Sequence, residues 1–479
     1  MNALANQRLN PAGLTRLAGL IAPIAYTIGL HWIYISLHDY GQMPAWLAAI
    51  ATVLLATYVA AYAVGAVALS GWLSPTLRHW STPWIVAASF TLMEWLRGHL
   101  FTGFPWIAFG YLAVDTPLAG FAPLLGVYGV GFAVVLCLLL ALQAIVLKRW
   151  APLAGLIIVL GIGLWNTTIQ WTSPAGRPLR VALVQGAIPQ SMKFDPARES
   201  EALLTHLRLA SVAATPEGAQ LIVFPETALV RPWSMQPPET QAAFLSLAQR
   251  AGGTVMLGLP MRDPDGYRNS LIAIREDNAP GEFYGRYDKH HLVPFGEFIP
   301  WGFRWFVDMM QMPLGDFQRG SPIQTPIAVR DQRIGVNICF EDLFGEELIR
   351  PIAPGIPAER HPTMLLNISN LAWFGDTIAL SQHLSIARLR AMETGRPMLR
   401  ATNTGVTGAI DHHGDPVDLL PTGSPGLLLT QVQGMQGSTP FIRWGNWPVM
   451  MVTLIILVAA IVAKRRRSAP RKASPPSQN

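Results

Sequence analysis

Cys339 is the last residue but one of the stretch "RIGVNICF" (333–340), and two carboxylates, Glu341 and Asp342, follow that stretch at once. The thiolate is the reactive form of cysteine, and both burial and nearby negative charge raise a thiol's pKa. A nucleophile placed here needs a base to take its proton. It also needs a cation or N–H donor to hold the oxyanion that forms on the attacked carbonyl. Two further stretches offer these groups: "FPETAL" (224–229) carries Glu226, and "YDKHHLVPFGEF" (287–298) carries Lys289. All three residues follow strand-like runs, and open α/β folds gather functional groups at the carboxyl ends of strands. His290 and His291 offer a rival base, but neighbours on an extended chain point to opposite sides and cannot act together. Each feature alone also has a plain reading: a core cysteine, a helix cap in "PET", a solvated turn in "DKHH".

The elements that position these groups divide into two kinds. The chain has 479 residues, 51% hydrophobic and only 13% charged, with sixteen tryptophans. Soluble chains carry about 25% charged residues, so part of this one belongs in lipid. Apolar runs of bilayer-crossing length lie near 17–37, 44–69, 82–105, 122–147, 151–168 and 446–463, each close to the roughly 17–25 residues a span requires. Arg8, Arg16, Arg78, Lys148, Arg149 and Lys464–Arg467 fall in alternate loops, and the intervening loops hold neither Lys nor Arg. The basic loops are therefore expected in the cytoplasm, with the long segment between the last two spans facing the periplasm. Much of the net charge of +6 sits in the tail "KRRRSAPRKASPPSQN" (464–479), which reads as a disordered membrane flank and not a nucleic-acid surface. Cys137, in "FAVVLCLLLAL", reads as a small apolar residue of a membrane helix.

Between the spans, short Val/Ile/Leu-rich strands alternate with helical patterns near 198–213, 239–251, 343–351 and 378–394. That alternation predicts an α/β domain with helix-covered sheets. The expected organisation is about five membrane helices over 1–170, a catalytic domain over 178–436, a last span over 446–463 and a basic tail over 464–479. Glu94, Arg97 and His31 lie in or near apolar spans, where an ionisable group is a functional candidate. Glu94 and Arg97, three apart on one helix, read equally as a structural pair. His383 reads as an ordinary helix residue. The aromatic- and methionine-rich stretch 298–315 beside Lys289 reads as a lid touching lipid.

The order and context of these motifs resemble the nitrilase, or carbon–nitrogen hydrolase, superfamily. Over nearly the whole chain they resemble its membrane-embedded members, the bacterial apolipoprotein N-acyltransferases. The matching stretches are "EWLRGHLFTGFPW" (94–106), "VQGAIPQ" (184–190), "FPETAL", "KHHLVPFGEFIP" (289–300), "GVNICFED" (335–342), "NISNLAWFGD" (367–376) and "RAMETGRPMLRATNTGVTGAID" (390–411). The resemblance implies a multi-pass α-helical membrane domain joined to a nitrilase-like αββα sandwich. It implies Glu226 as general base, Lys289 as transition-state cation and Cys339 as nucleophile, with Glu297 and Glu341 in support. The Phe340 N–H would join Lys289 at the oxyanion. The implied reaction moves a fatty acyl group from a phospholipid donor, through a cysteine thioester, to the α-amine of a diacylated apolipoprotein. A monomer in the bacterial inner membrane follows, with no nucleic-acid partner, metal or cofactor. Relatives usually begin with two more membrane helices, and carry Tyr and Trp where this chain has Phe340 and Phe194. Two rivals make distinct predictions: a membrane-tethered amidase would have a site closed to lipid, and a lipid-binding protein would not need Cys339. Attraction between unit charges about 4 Å apart, roughly 4 kcal/mol at an effective dielectric near 20, is expected to let Lys289 outweigh the carboxylates around the thiol.

Overall fold

The computed structural model describes residues 10–74, 76–193, 198–302, 304 and 316–468. Phe194 and most of the expected lid, residues 303 and 305–315, lie outside the described residues. Five long helices open the chain: α1 Pro11–Gly29, α2 Ala45–Leu73, α3 Thr82–His99, α4 Ala122–Leu147 and α5 Trp150–Thr167. The domain that follows contributes α6 Glu199–Ala213, α7 Pro238–Ala251 and α8 Ile378–Thr394, and α9 Trp447–Ser468 closes the described chain.

Among the described residues five helical segments are long and apolar enough to cross a membrane, at 11–29, 45–73, 117–147, 150–167 and 447–467. The sequence pattern predicts six. The difference is α3, whose apolarity is lowered by Glu94, Arg97 and His99, although it packs against α2, α4 and α9. Glu94 and Arg97 are buried and serve structure. Glu94 Oε1 accepts from Phe109 N (2.9 Å), while Arg97 donates to Ile107 O (3.0 Å) and to the Tyr26 hydroxyl (3.2 Å). They fold the irregular segment 100–121 back onto the helices. His31 is exposed and bonds only to its own turn, 2.9 Å from Ile28 O.

The two ends of the bundle differ. At one, Lys464 donates to Trp72 O, Arg467 approaches His79 Nε2 and Gln143 donates to Leu77 O. At the other, the α/β domain docks. Glu393 accepts from Val127 N (2.7 Å), Glu346 pairs with His99 (2.8 Å), and Gln382 Oε1 accepts from the indoles of Trp32 (3.2 Å) and Trp106 (2.8 Å). Because α3 begins at the first end and finishes at the second, it runs the length of the bundle.

The strands are β1 Thr172–Pro174, β2 Leu179–Gln185, β3 Leu221–Val223, β4 Thr254–Asp263, β5 Gly266–Arg275, β6 Gly285–Asp288, β7 Ile327–Val329, β8 Gln332–Ile338, β9 Met364–Ser369, β10 Met398–Thr402, β11 Gly408–Ile410, β12 Pro416–Leu419, β13 Gly426–Val432 and β14 Met435–Gly437. They form two six-stranded sheets, ordered β13-β2-β3-β4-β5-β6 and β12-β11-β10-β9-β8-β7, and a β1-β14 pair. The central strands are parallel, which matches their continuous apolar sequences: both faces are covered. Val181, Leu183, Val223 and Met256 of one sheet meet Val336, Ile338, Leu366 and Ile368 of the other in one core. Their neighbours in sequence, Ala182, Val184, Ile222 and Phe224, face α6 and α7, while Leu365, Met398 and Ile410 face α8. The layers are thus helix, sheet, sheet, helix.

The helix expected over 343–351 is a correction. Only Gly345–Leu348 is α-helical, flanked by 3-10 turns at Cys339–Leu343 and Arg350–Ile352. Pro351 cannot continue a helix, and Gly345 lies where a side chain would collide with Arg390.

Candidate active site

Glu226 and Lys289 leave one sheet, after β3 and β6, and Cys339 leaves the other, after β8. These groups, far apart in sequence, meet because the two sheets pack face to face. The "PET" backbone crosses directly over Gly258, where a Cβ would stand 2.7 Å from Glu226 Cα, so only glycine permits this approach. Cys339 itself has φ +53°, a left-handed conformation that a non-glycine residue adopts at a cost. It turns the chain sharply from β8 into the 3-10 turn.

Lys289 Nζ lies 2.9 Å from Glu297 Oε1 and 3.5 Å from Glu226 Oε1. Asn269 Nδ2 bridges the same two oxygens, donating to each at 2.7 Å. Asn370 N donates to Glu226 Oε2 (2.8 Å), and Lys193 Nζ to the Glu226 carbonyl (3.0 Å). The Glu226 carboxylate is near enough to the Cys339 thiol to raise its pKa. Glu297 is fixed through its second oxygen by Val293 N (2.8 Å). Asn269, Asn370 and Lys193 form no part of the sequence reading: an isolated amide or amine at a strand end or in a loop carries no periodic signal.

Glu341 does not face the thiol. Its carboxylate accepts from Ile338 N (2.7 Å), His290 N (2.7 Å), His291 N (3.0 Å) and the Tyr287 hydroxyl (2.9 Å), tying the Lys289 strand to the Cys339 turn. Burial pushes it up to about 7 despite those donors. Asp342 also turns away, to Arg400 Nη1 (3.1 Å), and burial raises it to about 6. Phe340 is buried among Phe104, His291 and Phe344, so its ring sits in aromatic packing without need of a hydroxyl.

The charge balance differs from the sequence expectation. Burial first, then Glu226, holds the Cys339 thiol well above the ordinary range, and Lys289 lowers it without prevailing. The reason is geometric: Glu297 and Glu226 flank Lys289, so its charge is already compensated. Burial opposes the charge on Lys289, yet Glu297 and then Glu226 outweigh that and raise it. The resting site therefore holds a thiol beside the Glu226 carboxyl group and the Lys289 ammonium. Among the described residues no group of three or more His, Cys, Asp or Glu side chains is placed to hold a metal ion.

A helix–sheet–sheet–helix domain with Glu, Lys and Cys at its strand ends defines a class: the family model for carbon-nitrogen hydrolase matches residues 180–441. The model for the apolipoprotein N-acyltransferase N-terminal domain matches residues 2–140. An apolipoprotein N-acyltransferase of Ralstonia nicotianae is 47% identical over 433 residues, covering 88% of this chain and 80% of its own. The enzymes of that name from Bordetella bronchiseptica and Nitrosomonas europaea are 42% and 40% identical, over 90% and 87% of this chain and 84% and 82% of theirs. The chain belongs to the apolipoprotein N-acyltransferase family.

Proposed function

We propose that this chain transfers a fatty acyl group from a membrane phospholipid to the α-amine of the N-terminal S-diacylglyceryl-cysteine of apolipoproteins, by a two-step exchange through Cys339. The observation that carries the mechanism is the meeting of Glu226, Lys289 and Cys339 at three strand ends, with Lys289 Nζ 3.5 Å from Glu226 Oε1 and both groups acting on the thiol. As Sγ attacks the ester carbonyl, its proton passes to Glu226 and an oxyanion forms. Lys289 Nζ and the Phe340 N–H stabilise that oxyanion. Collapse breaks the C–O bond, Glu226 returns its proton to the lysophospholipid alkoxide, and the acyl thioester remains. The acceptor amine then attacks the thioester and gives its proton to Glu226. The C–S bond breaks, and the proton returns to sulfur.

Moving the proton to Glu226 conserves the net charge of the site, so a thiol with a raised pKa is no obstacle. It ionises only in concert with attack. The chain acts as a monomer in the inner membrane, with its α/β domain on the periplasmic side, where both lipid-anchored substrates are at hand. Support for that orientation comes from the basic residues gathered at the bundle end opposite the α/β domain.

The test is purified protein given phospholipid alone. It should accumulate acyl-Cys339, seen by intact mass, and release about one equivalent of lysophospholipid, as a burst of acyl-enzyme requires. A diacylated lipopeptide with a free amine should discharge the adduct, and its N-acetylated form should not. Sustained release of free fatty acid without an amine would identify a hydrolase and defeat the proposal.

A further inference from the structure

His383 lies on α8, fully buried, outside the Glu–Lys–Cys cluster. Arg400 Nη2 reaches its Nδ1 at 2.7 Å. A guanidinium only donates, so Nδ1 must be the acceptor and the ring proton must sit on Nε2. Nε2 lies 3.3 Å from the carbonyl oxygen of Cys339, which Asn367 Nδ2 approaches from the next strand at 3.2 Å. Arg400 is itself held by Asp342, the second carboxylate after the nucleophile. Burial first, and then Arg400, holds the imidazole of His383 neutral by lowering its pKa far below the usual value. Trp106, from the membrane side, packs on the same ring with centroids 5.6 Å apart.

The Cys339 carbonyl and the Phe340 N–H are opposite ends of one rigid trans peptide unit. Fixing the carbonyl therefore fixes the direction of the N–H. Cys339 takes φ +53° at the junction where β8 passes into the 3-10 turn Cys339–Leu343, so its carbonyl sits at the strained first residue of that turn. We propose that His383 is a positioning residue for acyl transfer: its Nε2–H holds the Cys339 carbonyl and so aims the Phe340 N–H at the oxyanion. The inference rests on the reading above that this N–H serves the oxyanion. It also gives Asp342 and Arg400 a task, since together they set the histidine tautomer.

The experiment compares two reactions of the same thiol in full-length protein. Acylation by phospholipid passes through an oxyanion; alkylation by iodoacetamide displaces iodide at carbon and forms none. His383→Phe should slow acyl-enzyme formation at saturating phospholipid by at least about 10-fold, toward the 10²–10³-fold cost of a lost oxyanion donor. Half-saturation by phospholipid should move less than about 2-fold, as for a contact made only in the transition state. Alkylation of Cys339 at pH 9 should also stay within about 2-fold, because it needs no oxyanion donor. His383→Gln, which can still present an N–H to the carbonyl, should recover much of the lost rate. Acylation unchanged in His383→Phe, an equal fall in acylation and alkylation, or a Gln variant no better than Phe would each overturn the proposal. Failure of the unmodified protein to form any acyl adduct would instead count against the proposed function.

Discussion

Lys289 Nζ is closer to Glu297 Oε1, at 2.9 Å, than to Glu226 Oε1, at 3.5 Å. Glu297 thus engages the ammonium, which under the proposed mechanism leaves Glu226 to accept the thiol proton. A lysine locked wholly on the base would quench it. A lysine with no carboxylate would make a thiolate in the resting enzyme, open to indiscriminate reaction.

Glu297→Gln should therefore let Lys289 settle on Glu226. Acylation should fall on the order of 10-fold or more, within the range that a well-placed base contributes. Alkylation of Cys339 should rise, because Glu297 is one of the charges holding the thiol up. Acyl-enzyme formation within about 2-fold of the unmodified protein would show that Glu297 does not tune the base.

The pH dependence of alkylation gives a second, signed prediction. Burial and Glu226 raise the thiol, so alkylation of Cys339 should climb with pH and show no plateau by pH 9. Glu226→Gln removes a negative charge from beside the sulfur. The thiol pKa should drop and the profile should shift to lower pH. The same change should cut acylation by roughly 10²–10⁴-fold, because the proton acceptor is gone. Parallel changes in both reactions would contradict the assigned role.

The sequence makes some of this visible and hides the rest for identifiable reasons. Glu226 and Cys339 stand out because each follows an apolar run, Lys289 only through its motif "YDKHHLVPFGEF", and the central parallel strands are continuous Val/Ile/Leu runs buried on both faces. β6, four half-buried residues reading "GRYD", has neither alternation nor an apolar run, so it is invisible until β5 pairs with it. Asn370 reaches Glu226 through the packing of one sheet on the other, and Asn269 through the β3-β4-β5 order within one sheet, and no local pattern encodes either. His383 reads as a helix residue because it is one; its contact with Cys339 is across a layer boundary. Charge compensation of Lys289 by two carboxylates needs distances, which spacing in sequence does not supply.

Docking of the α/β domain on the helices supplies a third prediction. Arg390 Nη2 and Glu393 Oε1 are 2.9 Å apart with neither side chain exposed, and the same oxygen accepts from Val127 N of α4. Glu393→Ala would leave a buried guanidinium and a buried N–H without their partner. The loss should be about 3–5 kcal/mol. Thermal unfolding in detergent should show it as a clear fall in midpoint, and Glu393→Gln, which keeps an acceptor, should fall less. A midpoint unchanged in Glu393→Ala would mean the domains dock without this bond.

The orientation across the membrane is the last prediction. Lys464 and Arg467 lie beside Trp72 and His79 at one end of the bundle, while Glu346, Gln382 and Glu393 bind helix and loop residues at the other. Basic residues near the ends of spans are retained in the cytoplasm. The exposed β4–β5 turn at Asp265 should then face the periplasm and the exposed Arg466 the cytoplasm. In a Cys339→Ala background, Asp265→Cys should react in intact spheroplasts with a thiol reagent that cannot cross the membrane. Arg466→Cys should react only after the membrane is broken. Cys137, buried in α4, should stay unlabelled in both and serves as an internal control. Labelling in the reverse order would put the α/β domain in the cytoplasm and remove the physical basis for its meeting periplasmic lipoproteins.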